Sequence, residues 1–394
     1  MRCLSLWLSA GVVWFLLGMQ LLPSSKLYHQ GLILLAWLPG IVGLFLFPTI
    51  RQAWDRGLLV ALVIVTAWAA LSLGWGGEER RFKVLLYVLL AANAWVALAA
   101  LDPSLLWRSV ANSALLGGLA AWVSLVDMYV FEGNPWQVRA VGTGHLDHTI
   151  LASHVMGALG VLLVFLRSDL APALRRWAWL PACIGYLAFL LMSRSKGPLL
   201  AAVCAFAFAA LCRPSRLLIA GLAMALALIG AAAVLMPEVV LRGGLSYRPQ
   251  LLASAYEYLQ LAPWVGQGLG AEYLLPVAGL PVEFEHAHNL YLHLAIQLGV
   301  IGLVLWLALQ AVVLAQAIRR RSTPRGLALC SLMAFAGVSL FTDGMGPWVK
   351  PREEWFTVWL PLFLCLCLLA EKCSASADGG QAVIASNEAG GHEA

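Results

Sequence analysis

The sequence predicts an all-α, polytopic membrane protein of about twelve transmembrane helices, with one long outer loop late in the chain that carries its own helix. Three observations point there. The 394 residues are 61% hydrophobic and only 11% charged, against about 45–50% apolar and about 25% charged in a soluble domain. Apolar runs of about 20 residues recur along the whole chain, each long enough to cross about 30 Å of hydrocarbon as a helix. Lys and Arg gather in alternate short loops, the pattern that orients helices in a bilayer.

The first run, 4–22, follows a single basic residue, Arg2. A secretory leader would end in a small-residue cleavage site, and "LLPSSKLYHQ" offers none, so this run is read as a span. Eight more follow at roughly 31–49, 57–75, 83–101, 109–130, 148–166, 177–193, 197–212 and 216–235, the seventh and eighth separated only by "SRSK". Residues 1–235 thus form a first membrane block. Residues 236–288 form the large outer loop. Within it, "RPQLLASAYEYLQLAP" sets Leu252, Ala255, Tyr256 and Leu259 at i, i+3, i+4 and i+7, one apolar stripe. Pro249 suits a first helical turn, and the Gly-rich "PWVGQGLG" ends the helix. The stripe reads equally as a helix lying at the membrane interface or as simple packing. Residues 289–371 form the second block, with spans at 289–318, 325–342 and 355–371. The tail, 372–394, is small and polar and reads as disordered.

Orientation follows from the short basic loops. Arg51/Arg56, Arg108, Arg167/Arg175/Arg176, Arg213/Arg216 and Arg319/Arg320/Arg321/Arg325 share one side with Arg2 and Lys372. That side is the cytoplasm, so both termini lie inside. Of the eight cysteines, Cys183, Cys204, Cys330, Cys365 and Cys367 fall in spans, and Cys3, Cys212 and Cys373 at inner ends. With none in the outer loops, no disulfide framework is expected. The net charge of +5 belongs mostly to the inner loops. Without a basic-aromatic surface beside it, nucleic acid is not an expected partner.

The remaining cations sit on the outer side, where placing charge is costly and usually functional. Arg80/Arg81 beside Glu78/Glu79, and Lys350/Arg352 beside Glu353/Glu354, read as salt-bridged surface groups; Lys26 and Arg242 are also outer. Arg194 and Lys196 are different. They flank the outer start of a span in "SRSKGP", where the free N–H groups of a helix N-terminus favour a phosphate-type anion. Arg248 opens the outer-loop helix, and guanidinium grips phosphate oxygens in a two-pronged way. Either arginine alone has a structural reading as good as its functional one.

The stretch "EFEHAHNLYLHLAIQLGVIGLVLW" collects His286, His288 and His293 at the mouth of a span. With Glu283 and Glu285 they are acceptable zinc ligands, but the spacing matches no metal motif and the three do not share a helical face. No metal and no cofactor are expected. His286 and His293 read as capping and hydrogen-bonding groups. His288, next to Asn289 at a helix N-terminus, is disfavoured as a cation and suited to taking a proton from a hydroxyl. The loop "RAVGTGHLDHT" adds Arg139, His145, Asp147 and His148 at another span start, where Asp147 also reads as an N-cap.

These motifs resemble a known family. "HNLYLHLAIQLGVIGL", with Gly299 and Gly302, is similar to the signature of O-antigen ligases and their relatives, the lipid-linked polysaccharide polymerases and bacterial protein O-oligosaccharyltransferases. "RPQLLASAYEYLQLAPWVGQGLG" resembles the family's Arg, aromatic helix, Pro and G-x-G block, and "SRSKGPLLA" its Ser-Arg-Gly segment. The motifs cover about 194–302 and the topology most of the chain.

The resemblance implies a metal-independent, inverting glycosyltransferase of GT-C-like architecture in a bacterial inner membrane, with its site at the periplasmic face. The donor would be a glycan on undecaprenyl diphosphate, and the acceptor a hydroxyl of lipid A–core oligosaccharide. His288 would be the base. Arg194, Arg248, Lys196 and Arg139 would serve the diphosphate, while Asn289, His145, Asp147 and Tyr256 would be candidate substrate contacts. Membrane lipids would be the other partners. A polymerase or protein-directed enzyme shares this donor and stays open. A transporter is the reading from another class, and the near-absence of ionisable residues at mid-membrane argues against it.

Overall fold

The computed structural model describes residues 1–76, 82–235, 247–277 and 283–371. Arg80, Arg81, Arg242, Lys372, Cys373, much of the outer loop and the 372–394 tail lie outside the described residues.

The chain is mostly helical, as expected. Seven helices are long and apolar enough to cross a membrane: α1 (Arg2–Leu21), α2 (Ser25–Leu46), α3 (Arg56–Gly76), α4 (Phe82–Leu101), α5 (Pro103–Phe131), α11 (Leu290–Arg319) and α12 (Pro324–Thr342). Shorter apolar helices lie where the other spans were expected: α6 (Thr149–Phe165), α7 (Trp179–Ser193), α8 (Lys196–Cys212), α9 (Arg216–Ala231) and α13 (Leu360–Glu371). The outer-loop helix is α10 (Arg248–Leu261). A two-residue antiparallel pair, β1 (Leu275–Pro276) and β2 (Glu283–Phe284), follows it.

Local chemistry sets the ends. α2 begins earlier than the hydropathy suggests because Ser24 caps it, accepting from the Leu27 N–H. α5 starts after Asp102, which caps Leu105, with Pro103 in its first turn. α1 lies inside the bundle, where its Phe15 stacks on Phe356 and meets Trp95 and Phe363 edge-on. At one end of the bundle, Arg325 bridges Asp169 and Glu371 and lies over the Trp107 ring. This gathers loops that the charge pattern assigned to a single side. The described cysteines form no disulfide.

The structure adds detail to two expectations. The 289–318 span is not one continuous helix: α11 breaks at Gly299, whose φ of 69° and ψ of −177° are non-helical. The Gly-rich "PWVGQGLG" segment fills the break. Val300 N–H donates to Pro263 O and Ile301 N–H to Trp264 O, while Gln267 and Gly268 N–H donate to the carbonyls of Ile296 and Gln297. Backbone freed from a helix in an apolar setting must find such partners. A Cβ at Gly299 would meet Trp264 O at 2.1 Å. Gly299→Ala is therefore expected to cost at least about 3 kcal/mol and to lower the melting temperature of the purified protein.

The second concerns the stripe on α10, only part of which packs on the protein. Its buried residues are Leu251 and Ala255, whereas Leu252 and Tyr256 are 53% and 59% exposed. The helix docks on the Leu251–Ala255–Tyr258 face against Tyr273, Leu275 and Ile296, and turns Tyr256 outward.

Candidate functional site

Three helix ends meet where α8 begins, α10 begins and α12 stops. Thr342 ends α12, and its carbonyl accepts from Arg248 Nε at 3.0 Å. The first turn of α8 packs against the same residue so closely that a Cβ at Gly197 would sit 2.4 Å from Thr342 Oγ1. The next residue, Asp343, is 5% exposed, and its Oδ1 lies 3.0 Å from His288 Nδ1. Arg248, His288 and the start of α8 thus converge through Thr342 and Asp343.

Backbone strain marks the same place. Among the described residues, three non-glycine residues have positive φ: Arg194 (51°), Tyr247 (58°) and His288 (46°). One is the histidine, one precedes Arg248, and one closes α7 just before α8. Left-handed backbone costs such residues about 1–3 kcal/mol and persists where the surrounding structure imposes it, characteristically at functional sites.

Burial pushes the Asp343 carboxyl up, but the hydrogen bond from His288 and the neighbouring imidazoles outweigh it and hold the group below its ordinary value. An ionised carboxylate only accepts, so His288 Nδ1–H is the donor, and in the neutral ring Nε2 is then the nitrogen that carries the lone pair. His286 stands beside it, with ring centroids 4.0 Å apart, and its Nδ1 accepts from the His288 backbone N–H at 3.2 Å. Burial, with His288 next to it, takes the His286 imidazole down to about 4. His286, His288 and Asp343 present ligand atoms within 4.8 Å of one another, close enough to share a cation. That set replaces the His286/His288/His293 grouping weighed from sequence. His293 instead pairs its Nδ1 with the Tyr273 hydroxyl at 2.6 Å.

The other sequence-read residues divide. Asn289 caps α11, accepting from the Tyr291 and Leu292 N–H groups. Arg139 holds the α7–α8 turn, with Nε donating to Ser193 O and Nη2 to Ser195 Oγ, both at 2.9 Å. Arg194 turns toward the 131–148 loop: Nη2 donates to Trp136 O at 3.0 Å and the guanidinium lies 5.2 Å from the Trp136 ring centre. Lys196 is exposed at the start of α8.

Next to this cluster is a cavity of about 1560 Å³. His145, Asp147 and His148 line it, and so do Tyr258 and Tyr273, whose rings pair at 5.8 Å. Tyr256 is not among its walls. The cavity reaches the histidine cluster at Glu285 and His148, the latter also the cap of α6. Arg352 lies on its rim, paired with Glu353 at 3.2 Å and Glu354 at 2.8 Å, as the sequence suggested. Lys350, expected to share these acids, has no ion pair among the described residues.

Burial raises the Glu354 carboxyl to about 7, although Arg352 opposes the shift. The folded state then holds this proton more tightly than the unfolded chain. The group's stabilising effect is full below the ordinary value of 4.5 and fades as pH rises through about 7. Glu354→Gln is expected to raise the melting temperature more at pH 8 than at pH 5, a gain of up to about 3 kcal/mol.

The helices are those of a multi-pass membrane protein, and residues 181–307 match the O-antigen ligase family model. That interval contains Arg194, Lys196, Arg248 and His288. Along nearly its whole length the chain is similar to an O-antigen ligase of Pseudomonas aeruginosa, 28% identical over 396 residues that cover 98% of this chain and 96% of the relative. The resemblance read from the motifs is shown by both. Asp343 lies outside the matched interval.

Proposed function

We propose that the protein is an O-antigen ligase that transfers a glycan from undecaprenyl diphosphate to a hydroxyl of lipid A–core oligosaccharide. In this reading it has twelve spans in a bacterial inner membrane, both termini are cytoplasmic, and the Thr342–Asp343 end of the bundle faces the periplasm. The observation that carries the chemistry is the 3.0 Å His288–Asp343 contact, with Arg248 bonded to the adjacent residue.

The acceptor hydroxyl gives its proton to His288 Nε2 as its oxygen attacks the anomeric carbon. The bond from that carbon to the diphosphate breaks on the opposite face, so configuration inverts and undecaprenyl diphosphate leaves. Asp343 orients the ring and stabilises the imidazolium that forms. Arg248 spends Nε on Thr342 O, which fixes the fork and leaves its two terminal nitrogens for diphosphate oxygens. Lys196 and the first N–H groups of α8 add positive potential. Arg194 keeps Nε and Nη1 for the same anion while tethering the 131–148 loop through Nη2.

The test supplies purified protein with an undecaprenyl-diphosphate glycan and either lipid A–core or a second donor molecule. Extension of lipid A–core is expected. Growth of the donor glycan instead would make the protein a polymerase, and no transfer to either would overturn the reading. Because cationic side chains serve the leaving group, EDTA is expected to leave the rate unchanged. A chelator-sensitive rate restored by Zn²⁺ would instead assign the His286/His288/Asp343 set to a working metal.

A further inference from the structure

The large cavity has a corner that the proposed chemistry does not use. Lys26 and His29 sit at i and i+3 on α2, on one face of the helix, and both line the cavity. Lys350 lines it from the 343–354 connection and lies within electrostatic range of His29. Neither lysine has an ion pair among the described residues. The third cation on that wall, Arg352, is already neutralised by Glu353 and Glu354. His29 packs edge-on against the stacked Trp37–Tyr87 pair, 5.1 Å from Trp37 and 4.9 Å from Tyr87, and its buried Nδ1 has no hydrogen-bond partner. Two exposed ammonium groups with no ion pair among the described residues thus line the same cavity as the His29 ring.

Other lining residues have different chemistry. Glu272 and Glu285 supply acceptors, and Tyr258 and Tyr273 supply aromatic surface, a lining suited to sugar hydroxyls and ring faces. With a volume well above the roughly 300–1,000 Å³ of a drug-sized pocket, the cavity has room for several sugar residues. A donor diphosphate held by Arg248 lies at the Thr342–Asp343 end and leaves Lys26 and Lys350 unserved.

We propose that Lys26, His29 and Lys350 form an anion subsite that selects an acceptor oligosaccharide bearing a phosphate group. Lysine suits this role as a point charge that accepts a phosphate in many orientations. The proposal rests on the transferase reading above and adds the class of acceptor. It separates two jobs: arginine grips the leaving diphosphate, and lysine anchors a phosphate that stays on the product.

The test uses full-length protein in nanodiscs of uncharged lipid, with lipid A–core acceptor before and after enzymatic removal of its sugar phosphates. Lys26→Gln combined with Lys350→Gln is expected to raise KM for the phosphorylated acceptor about tenfold, with kcat and donor KM within about twofold. With the phosphate-free acceptor, wild type and variant should coincide. The charge-preserving Lys26→Arg/Lys350→Arg pair should restore most of the affinity, which separates lost charge from misfolding. Equal KM values for both acceptors in the wild type would overturn the proposal. So would a rise confined to donor KM, which would make the corner a diphosphate site, or an effect seen only with anionic lipid, which would make it a headgroup site. If the wild type transferred nothing, the transferase reading would fail by itself. The corner would then be judged by thermal stabilisation of wild type, and not of the Gln pair, by the phosphorylated acceptor.

Discussion

Replacing His288 with Ala is expected to abolish glycan transfer while leaving the protein folded. The side chain is partly exposed and makes a single side-chain hydrogen bond, to Asp343. Its loss removes little packing, and the left-handed backbone at φ 46° is no better suited to Ala, so any change in stability is modest. On the proposed mechanism the reaction loses its base, and general-base removal costs about 10²–10⁴-fold. Asp343→Asn separates orientation from proton uptake. An amide offers an N–H where the carboxylate only accepted, which favours the wrong tautomer of His288 and withdraws charge from the developing imidazolium. It should lower kcat by at least about 10²-fold with little change in donor KM. A pure packing role for Asp343 predicts a lower melting temperature with kcat unchanged. Normal product from His288→Ala would remove the base hypothesis.

Much of the candidate site is legible in the sequence because its parts sit at helix ends, where polar residues interrupt apolar runs. His288, Asn289, Arg248 and the "SRSKGP" turn were visible for that reason, and the structure joins them through one residue pair. Asp343 was missed although it has the same signature, an acid where the 325–342 span stops. It lies 55 residues beyond His288, and only the packing of α12 against α8 and α11 brings it near. Side-chain direction was the other limit. Arg194 was readable as a cation at the start of a helix, but its hydrogen bond to Trp136 depends on how the 131–148 loop folds back. On α10 the stripe through Tyr256 was a valid period, yet a helix with apolar residues on two faces does not say which will dock. Tyr258 and Tyr273 reached the cavity instead. The break in α11 was half legible: Gly299 and "PWVGQGLG" were both noted, and their interlocking is a tertiary fact.

Arg248→Lys tests the leaving-group side of the mechanism and should be nearly as damaging as loss of the base. The arginine does two things at once. Nε fixes the side chain on Thr342 O, and the planar fork then presents its two terminal NH2 groups in a set direction. Lysine has one nitrogen and no fork, so it either satisfies Thr342 O or meets the diphosphate. Hydrogen bonds to charged groups contribute about 1.5–3 kcal/mol each, so losing one or two of them costs on the order of 10²–10³-fold in kcat/KM. The loss should fall on kcat more than on donor KM, because negative charge on the diphosphate grows as the sugar–oxygen bond breaks. Inhibition by added inorganic diphosphate should weaken in parallel. The fold tolerates the change, since α10 is anchored through Leu251 and Ala255 rather than through its first residue. Wild-type-like turnover with Lys at 248 would make this arginine a brace between α10 and α12, and would leave the leaving group to Lys196 and the start of α8.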